Sequence, residues 1–131
     1  MNLKAGDTFF APWPDRSGVK HLFFIISDPQ LDSGRIVVVP LMTWDEYKEQ
    51  TCVLEKGDHR FIRHRSYIDF GCAREVSAKA IGQGVQTGRF NAHDPASPKL
   101  LEKIRNAAGI SDYLALGLRD ILEKQDLVDP L

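Results

Sequence analysis

A chain of 131 residues can bury a substantial core within one domain, and its 43% apolar and 27% charged residues are those of an ordinary water-soluble protein. The net charge of −1, from 17 basic and 18 acidic residues, argues against a surface coated with positive charge for duplex DNA, yet it leaves room for one basic face. The longest apolar runs are far too short to span a bilayer, and no basic-then-apolar leader opens the sequence, so no membrane association and a cytoplasmic location are expected.

In chain order, Asp7 to Ala11 predicts a short strand ended by Pro12 and Pro14, and Asp15 to Val19 a polar loop. His21 to Ser27 is a continuous apolar run of strand length, closed by Asp28-Pro29. Arg35 to Thr43 is rich in β-branched residues, with Pro40 read as an edge or bulge position. Neither run alternates, which predicts strands covered on both faces. Trp44 to Glu49 suggests a helical turn, Thr51 to Leu54 a short strand, and Ser66 to Ala73 an alternating strand. Val76 to Val85 is weakly helical and interrupted by Gly82 and Gly84, and Asn91 to Ala96 reads as a linker. Ser97-Pro98 is a strong helix start, Leu100, Leu101, Ile104, Ala107 and Ala108 form an apolar face, and Gly109 is the expected stop. Ser111 is the expected cap of a second helix whose stripe is Leu114, Leu118, Ile121 and Leu122. Strands first and helices last describe an α+β fold: one domain over 1–131, strand-rich over 1–75 and mostly helical over 76–131. The sheet is expected to be small, strongly curved and mostly antiparallel.

The most informative stretch is K-G-D-H-R-F-I-R-H-R-S-Y, Lys56 to Tyr67. It gathers Lys56, Arg60, Arg63 and Arg65 around His59 and His64, with Asp58 its only acid. Local positive charge beside imidazoles suits a phosphate-bearing partner and offers general acid and base groups near neutral pH. A solvated loop between two strands is the plainer alternative. Metal-free RNA cleavage needs a base for the 2′-hydroxyl proton, a cation for the developing phosphorane charge and an acid for the leaving oxygen. His59 and His64 are the candidate base and acid, Arg60, Arg63 and Arg65 the candidate phosphate ligands, and Tyr67, Trp13 and Trp44 the candidate surfaces for unpaired bases. Each has a structural alternative: a turn residue for His59, a loop-holding hydrogen bonder for His64, edge packing for Tyr67, a surface lid or a core plug for Trp13 and a barrel end for Trp44. Cys52 and Cys72 read as free, packed thiols, and a Cys52–His59–His64–Cys72 site matches no usual zinc spacing. No metal and no cofactor are expected.

The series G-D-T-F-F-A-P, then K-H-L-F-F-I-I-S, then R-I-V-V-V-P-L-M-T resembles the N-terminal half of the PemK/MazF-like toxins of bacterial toxin–antitoxin pairs. The match covers roughly the first third of the chain in its order of elements. The resemblance implies a small SH3-like, mostly antiparallel β-barrel with two C-terminal helices. It implies a homodimer, a metal-independent endoribonuclease acting on single-stranded RNA, and a cognate antitoxin. By position, the family's basic residue falls on Lys20 and its hydroxyl on Thr43. The family usually has Arg-Pro where this chain has Lys20-His21, and a lysine lacks the bidentate fork of an arginine. A non-catalytic SH3-like module docking an acidic peptide or a nucleic acid through the basic loop is the alternative.

Overall fold

The computed structural model describes residues 2–13 and 17–131; Pro14, Asp15 and Arg16, part of the expected strand end and loop, lie outside the described residues, as does Met1. The chain runs β1 (Thr8–Ala11), β2 (His21–Ile25), β3 (Arg35–Thr43), β4 (Val53–Leu54), β5 (Ser66–Ile68), a 3₁₀ turn (Phe70–Cys72), β6 (Arg74–Ser77), α1 (Ala78–Gln86), β7 (Asn91–His93), α2 (Pro98–Ile110) and α3 (Leu116–Lys124). All strand pairings are antiparallel, in the order β4-β5-β3-β2-β1-β7, with β6 also on β3. The fold is α+β. The sheet stays open where the sequence suggested a closed barrel, and α1 adds a third helix to the two expected at the C-terminus.

The unalternating runs of β2 and β3 arise because both faces of the sheet are covered. Leu22, Phe24, Val37, Val39 and Leu41 pack with Leu100, Ile104, Ala107, Ala108 and Leu122 of α2 and α3. Phe23, Ile25, Ile36 and Val38 pack with Phe9, Ile81 and Phe90 on the other face, where Trp13 closes the edge. Phe9, Phe23, Phe24 and Phe70 are fully buried, each contributing about 1.5–3 kcal/mol from the area removed from water.

β3 is the hinge of the architecture. Its first half pairs β6 through Arg35–Val38, and its last three residues pair β5 through Leu41–Thr43. Pro40 sits between these ladders, opposite Phe23 of β2, so it occupies the middle of the sheet and not an edge. In a strand, the N and C=O of one residue face the same side. The Pro40 carbonyl accepts from Asp69 N–H (3.1 Å), so its hydrogen-less nitrogen faces the gap between the two ladders, where no donor is needed.

Other local departures have equally local causes. The strand expected to reach Ala73 ends at Ile68 because the Asp69 carboxylate accepts from Gly71 N–H and winds the chain into the 3₁₀ turn. Trp44 to Glu49 forms a turn, not a helix, with Asp45 Oδ1 accepting from Tyr47 N–H. The expected linker at Asn91 begins with β7, paired to β1. Ser97 caps α2 as read, accepting from Leu100 N–H, but the helix passes Gly109 to Ile110. Ser111 does not cap α3: its hydroxyl donates to Glu49 and accepts from Tyr113 N–H, and α3 begins five residues later at Leu116. The buried Arg119 then ties the C-terminal segment down by donating to the Gly109 and Asp129 carbonyls. No helix among the described residues is long and apolar enough to cross a membrane.

Candidate functional site

β2 and β3 stay paired from Ile25–Val38 to Phe23–Pro40, and then they diverge. Beyond the fork, His21 and Leu22 of β2 continue along β1, while Leu41–Thr43 of β3 turn away with β5. The fork opens a cleft of about 540 Å³. One lip is Val19, Lys20, His21 and Leu22; the other is Leu41, Met42 and Thr43 with Ser66; the segment Arg60–His64 and His93 of β7 complete it.

The charge of this lining is one-sided. Among the described residues it contains Lys20, Arg60 and Arg63, the imidazoles of His21, His64 and His93, and no carboxylate, in a chain that is nearly balanced overall. Lys20 Nζ donates to Asn91 Oδ1 at 2.7 Å, a neutral partner, and makes no ion pair among the described residues. Arg60 meets the Asp94 carboxylate at 3.1 Å on the rim, with its side chain 83% exposed. Such an exposed pair is worth about 0–1 kcal/mol, so a phosphate can take the carboxylate's place at little cost. Arg63 makes no ion pair among the described residues. Apolar walls from Leu22, Leu41, Met42, Phe61 and Ile62 lower the local dielectric and strengthen these fields.

Thr43 Oγ1 lies 3.3 Å from His64 Nε2, and both side chains are exposed to the cleft. The structure thus brings together Lys20, Thr43, His64, Arg60 and Arg63. His59 is separate from them. It is only 6% exposed, its Nε2 donates to the Asp94 carbonyl at 2.7 Å, and its Nδ1 accepts from Phe61 N–H at 3.0 Å. With both nitrogens engaged against the edge of Phe24, it has no free atom for proton exchange with a ligand in this arrangement.

Four other candidates lie away from the cleft lining. Arg65 pairs with Glu55 at 2.6 Å and lies 5.3 Å from the Trp44 ring, so each covers the other. Tyr67 is 5% exposed and its hydroxyl donates to Asp69 at 3.4 Å. Burial, reinforced by that carboxylate, pushes its phenol up to about 12. Trp13 packs edge-on against Phe9, Phe23 and Phe90 with Arg74 over its face, the core-plug role. The aromatic surface in the cleft is Phe61, 42% exposed, backed by Phe10 at 4.9 Å. Cys52 is buried, which pushes its thiol up to about 12, and Cys72, in no disulfide with it, donates from Sγ to Asp69 at 3.3 Å. Among the described residues no cluster of His, Cys, Asp and Glu is arranged to hold a metal ion.

Sequence reasoning missed His21, Phe61 and His93. His93 was hidden in the supposed linker; the alternation of Asn91, Ala92 and His93 was the available sign of an edge strand. No protein-family model matches this chain, and no curated protein matches it.

Proposed function

We propose that the cleft binds single-stranded RNA and cuts it without a metal, in the manner of a PemK/MazF-like toxin. The observation that carries this reading is His64 Nε2 beside Thr43 Oγ1 in a cleft lined by Lys20, Arg60 and Arg63 and, among the described residues, by no carboxylate. His64 takes the proton of a ribose 2′-hydroxyl, whose oxygen attacks the adjacent phosphorus. The bond from phosphorus to the 5′-oxygen breaks, and His64 returns the proton through water to that oxygen. A 2′,3′-cyclic phosphate and a 5′-hydroxyl result. Lys20 and Arg63 offset the negative charge that grows on the phosphorane oxygens. Thr43 orients the imidazole, and Phe61 offers a face for a splayed base.

The finer description of the sheet as SH3-like belongs to the same proposal. Its support is the change of ladders at Pro40, the kind of bend that a small closed barrel requires. A homodimer and an acidic antitoxin segment seated in the cleft complete the reading. The alternative, a module that binds RNA or an acidic peptide without cutting, draws support from His59, whose engaged nitrogens remove one of two candidate proton carriers.

Incubation with mixed-sequence RNA in EDTA tests this. Wild type yields fragments ending in cyclic phosphate, while folded His64→Ala and Lys20→Ala proteins yield none. Intact RNA with a mobility shift selects the binding module, and intact, unshifted RNA rejects both.

A further inference from the structure

We propose that His93 is a further phosphate-contacting side chain of the cleft, acting as an N–H donor through Nε2, and that the buried His59 is the residue that positions it. The chemistry assigned to His93 rests on the ribonuclease reading; the geometry does not. Asp94 N–H donates to His93 Nδ1 at 2.8 Å. An imidazole that accepts at Nδ1 carries its single proton on Nε2. The rings of His59, Phe10 and Phe61 pack around it at centroid distances of 5.4, 5.5 and 5.9 Å. His93 lines the cleft, and its Nε2–H has no hydrogen-bond partner among the described residues.

The residue that sets this tautomer, Asp94, is itself held in place. The Asp94 carbonyl accepts from Thr8 Oγ1 at 2.7 Å and from His59 Nε2 at 2.7 Å, and His59 is oriented in turn by Phe61 N–H. The Asp94 carboxylate holds Arg60. One residue therefore presents two donors to the cleft, a guanidinium through its side chain and an imidazole N–H through its backbone. This gives the buried histidine of the basic stretch a task without requiring it to exchange protons. A preset donor suits the developing charge on a phosphorane, because no reorganisation is needed as that charge forms.

The test compares wild type with His93→Ala and His93→Gln, since a glutamine amide places an N–H near the position of Nε2–H. Removing such a donor lowers kcat on the order of 10²-fold, and glutamine restores it to within about tenfold of wild type. A folded His93→Gln protein as inactive as His93→Ala overturns the donor role. If wild type cuts no RNA, the ribonuclease reading falls and the donor role is judged by anisotropy with an all-deoxy oligonucleotide. Weakened binding in alanine, restored in glutamine, supports the donor; equal binding in all three proteins overturns it. Imidazole nitrogen NMR of the free protein provides a readout independent of RNA. Nε2–H tautomers are expected at both His59 and His93, and an Nδ1–H tautomer at His93 overturns the assignment. In His59→Gln, loss of positioning predicts mixed tautomers at His93 together with lower kcat at unchanged KM. A single Nε2–H tautomer at His93 beside a reduced kcat overturns the positioning role.

Discussion

Two glycines on helices should respond to alanine with opposite signs, and the structure gives the reason for each. A Cβ built on Gly84 of α1 falls 2.3 Å from Phe90 Cδ2 and 2.6 Å from its Cε2. Ordinary carbon contacts lie at about 3.5–4.0 Å, so the ring has to retreat by more than about 1 Å. It has little room to do so. Trp13 lies 5.1 Å away and Phe9 6.0 Å, centroid to centroid, and Phe90 N–H is tied to the Gly84 carbonyl at 3.0 Å. Forcing carbon into such a core costs about 1–3 kcal/mol, against a helix-propensity gain of about 1 kcal/mol. The overpacking term wins over most of that range, and Gly84→Ala is expected to lose up to about 2 kcal/mol. At Gly117 of α3 nothing lies within 4 Å of the added carbon, so only the propensity gain of about 0.5–1 kcal/mol remains. Urea unfolding followed by circular dichroism measures both. A Gly84→Ala midpoint at or above wild type would refute the claim that the helix–Phe90 approach is rigid.

Three further outcomes follow from charge and burial. Stability should fall as pH rises from about 9 to about 12, because Cys52 and Tyr67 hold their protons more tightly when folded than when unfolded. The unfolded chain then binds fewer protons in that window, so alkali favours it; Tyr67→Phe should flatten the upper part of the decline, and an unchanged alkaline melt in that variant contradicts the assignment. Native Cys52 should resist alkylation at pH 8 while urea-unfolded protein reacts, as read by mass spectrometry. Binding of single-stranded RNA should weaken with salt at a slope near −2 in log K against log salt, about −0.7 for each of Lys20, Arg60 and Arg63. Arg63→Gln should reduce that slope by about 0.7 and Arg65→Gln should leave it unchanged; equal slopes in the two variants argue against the cleft as the phosphate path.

Local signals were legible where they did not depend on distant partners. The bounds of β3, the two-faced burial of β2 and the Ser97 cap of α2 follow from runs of β-branched residues and from one capping dipeptide. The sequence pointed to the basic stretch but could not sort it. His59 and His64 lie five residues apart with similar neighbours, yet one is buried under Asp94 and the other faces the cleft. That difference is set by Asp94 and Thr8, which are remote in the chain and carry no local mark. Arg65 and Arg63 diverge for a similar reason: Glu55 and Trp44 engage one, and among the described residues nothing comparable reaches the other. Gly84 reads as a helix interruption because Phe90, the ring that requires it, follows after the helix has ended.

The position of the cleft follows from the same bend that shapes the sheet. A sheet covered on both faces has no open surface for a ligand, so a site must form where two strands separate. β2 and β3 separate after Phe23–Pro40 because each has a different next partner, β1 for one and β5 for the other. Lys20 and Thr43, far apart in sequence, then lie on opposite lips of one opening. The basic loop between β4 and β5 has to lie beside that opening, since β5 is the strand that draws β3 away. Fork, loop and edge strand thus converge on one volume. Charge placed anywhere in Arg60–Arg63 acts there, from a loop whose two ends are the paired strands β4 and β5. That geometry makes the donor assignment of His93 and the base assignment of His64 separable by experiment: they approach the cleft from β7 and from the β4–β5 loop, and either ring can be replaced without dismantling the element that carries the other.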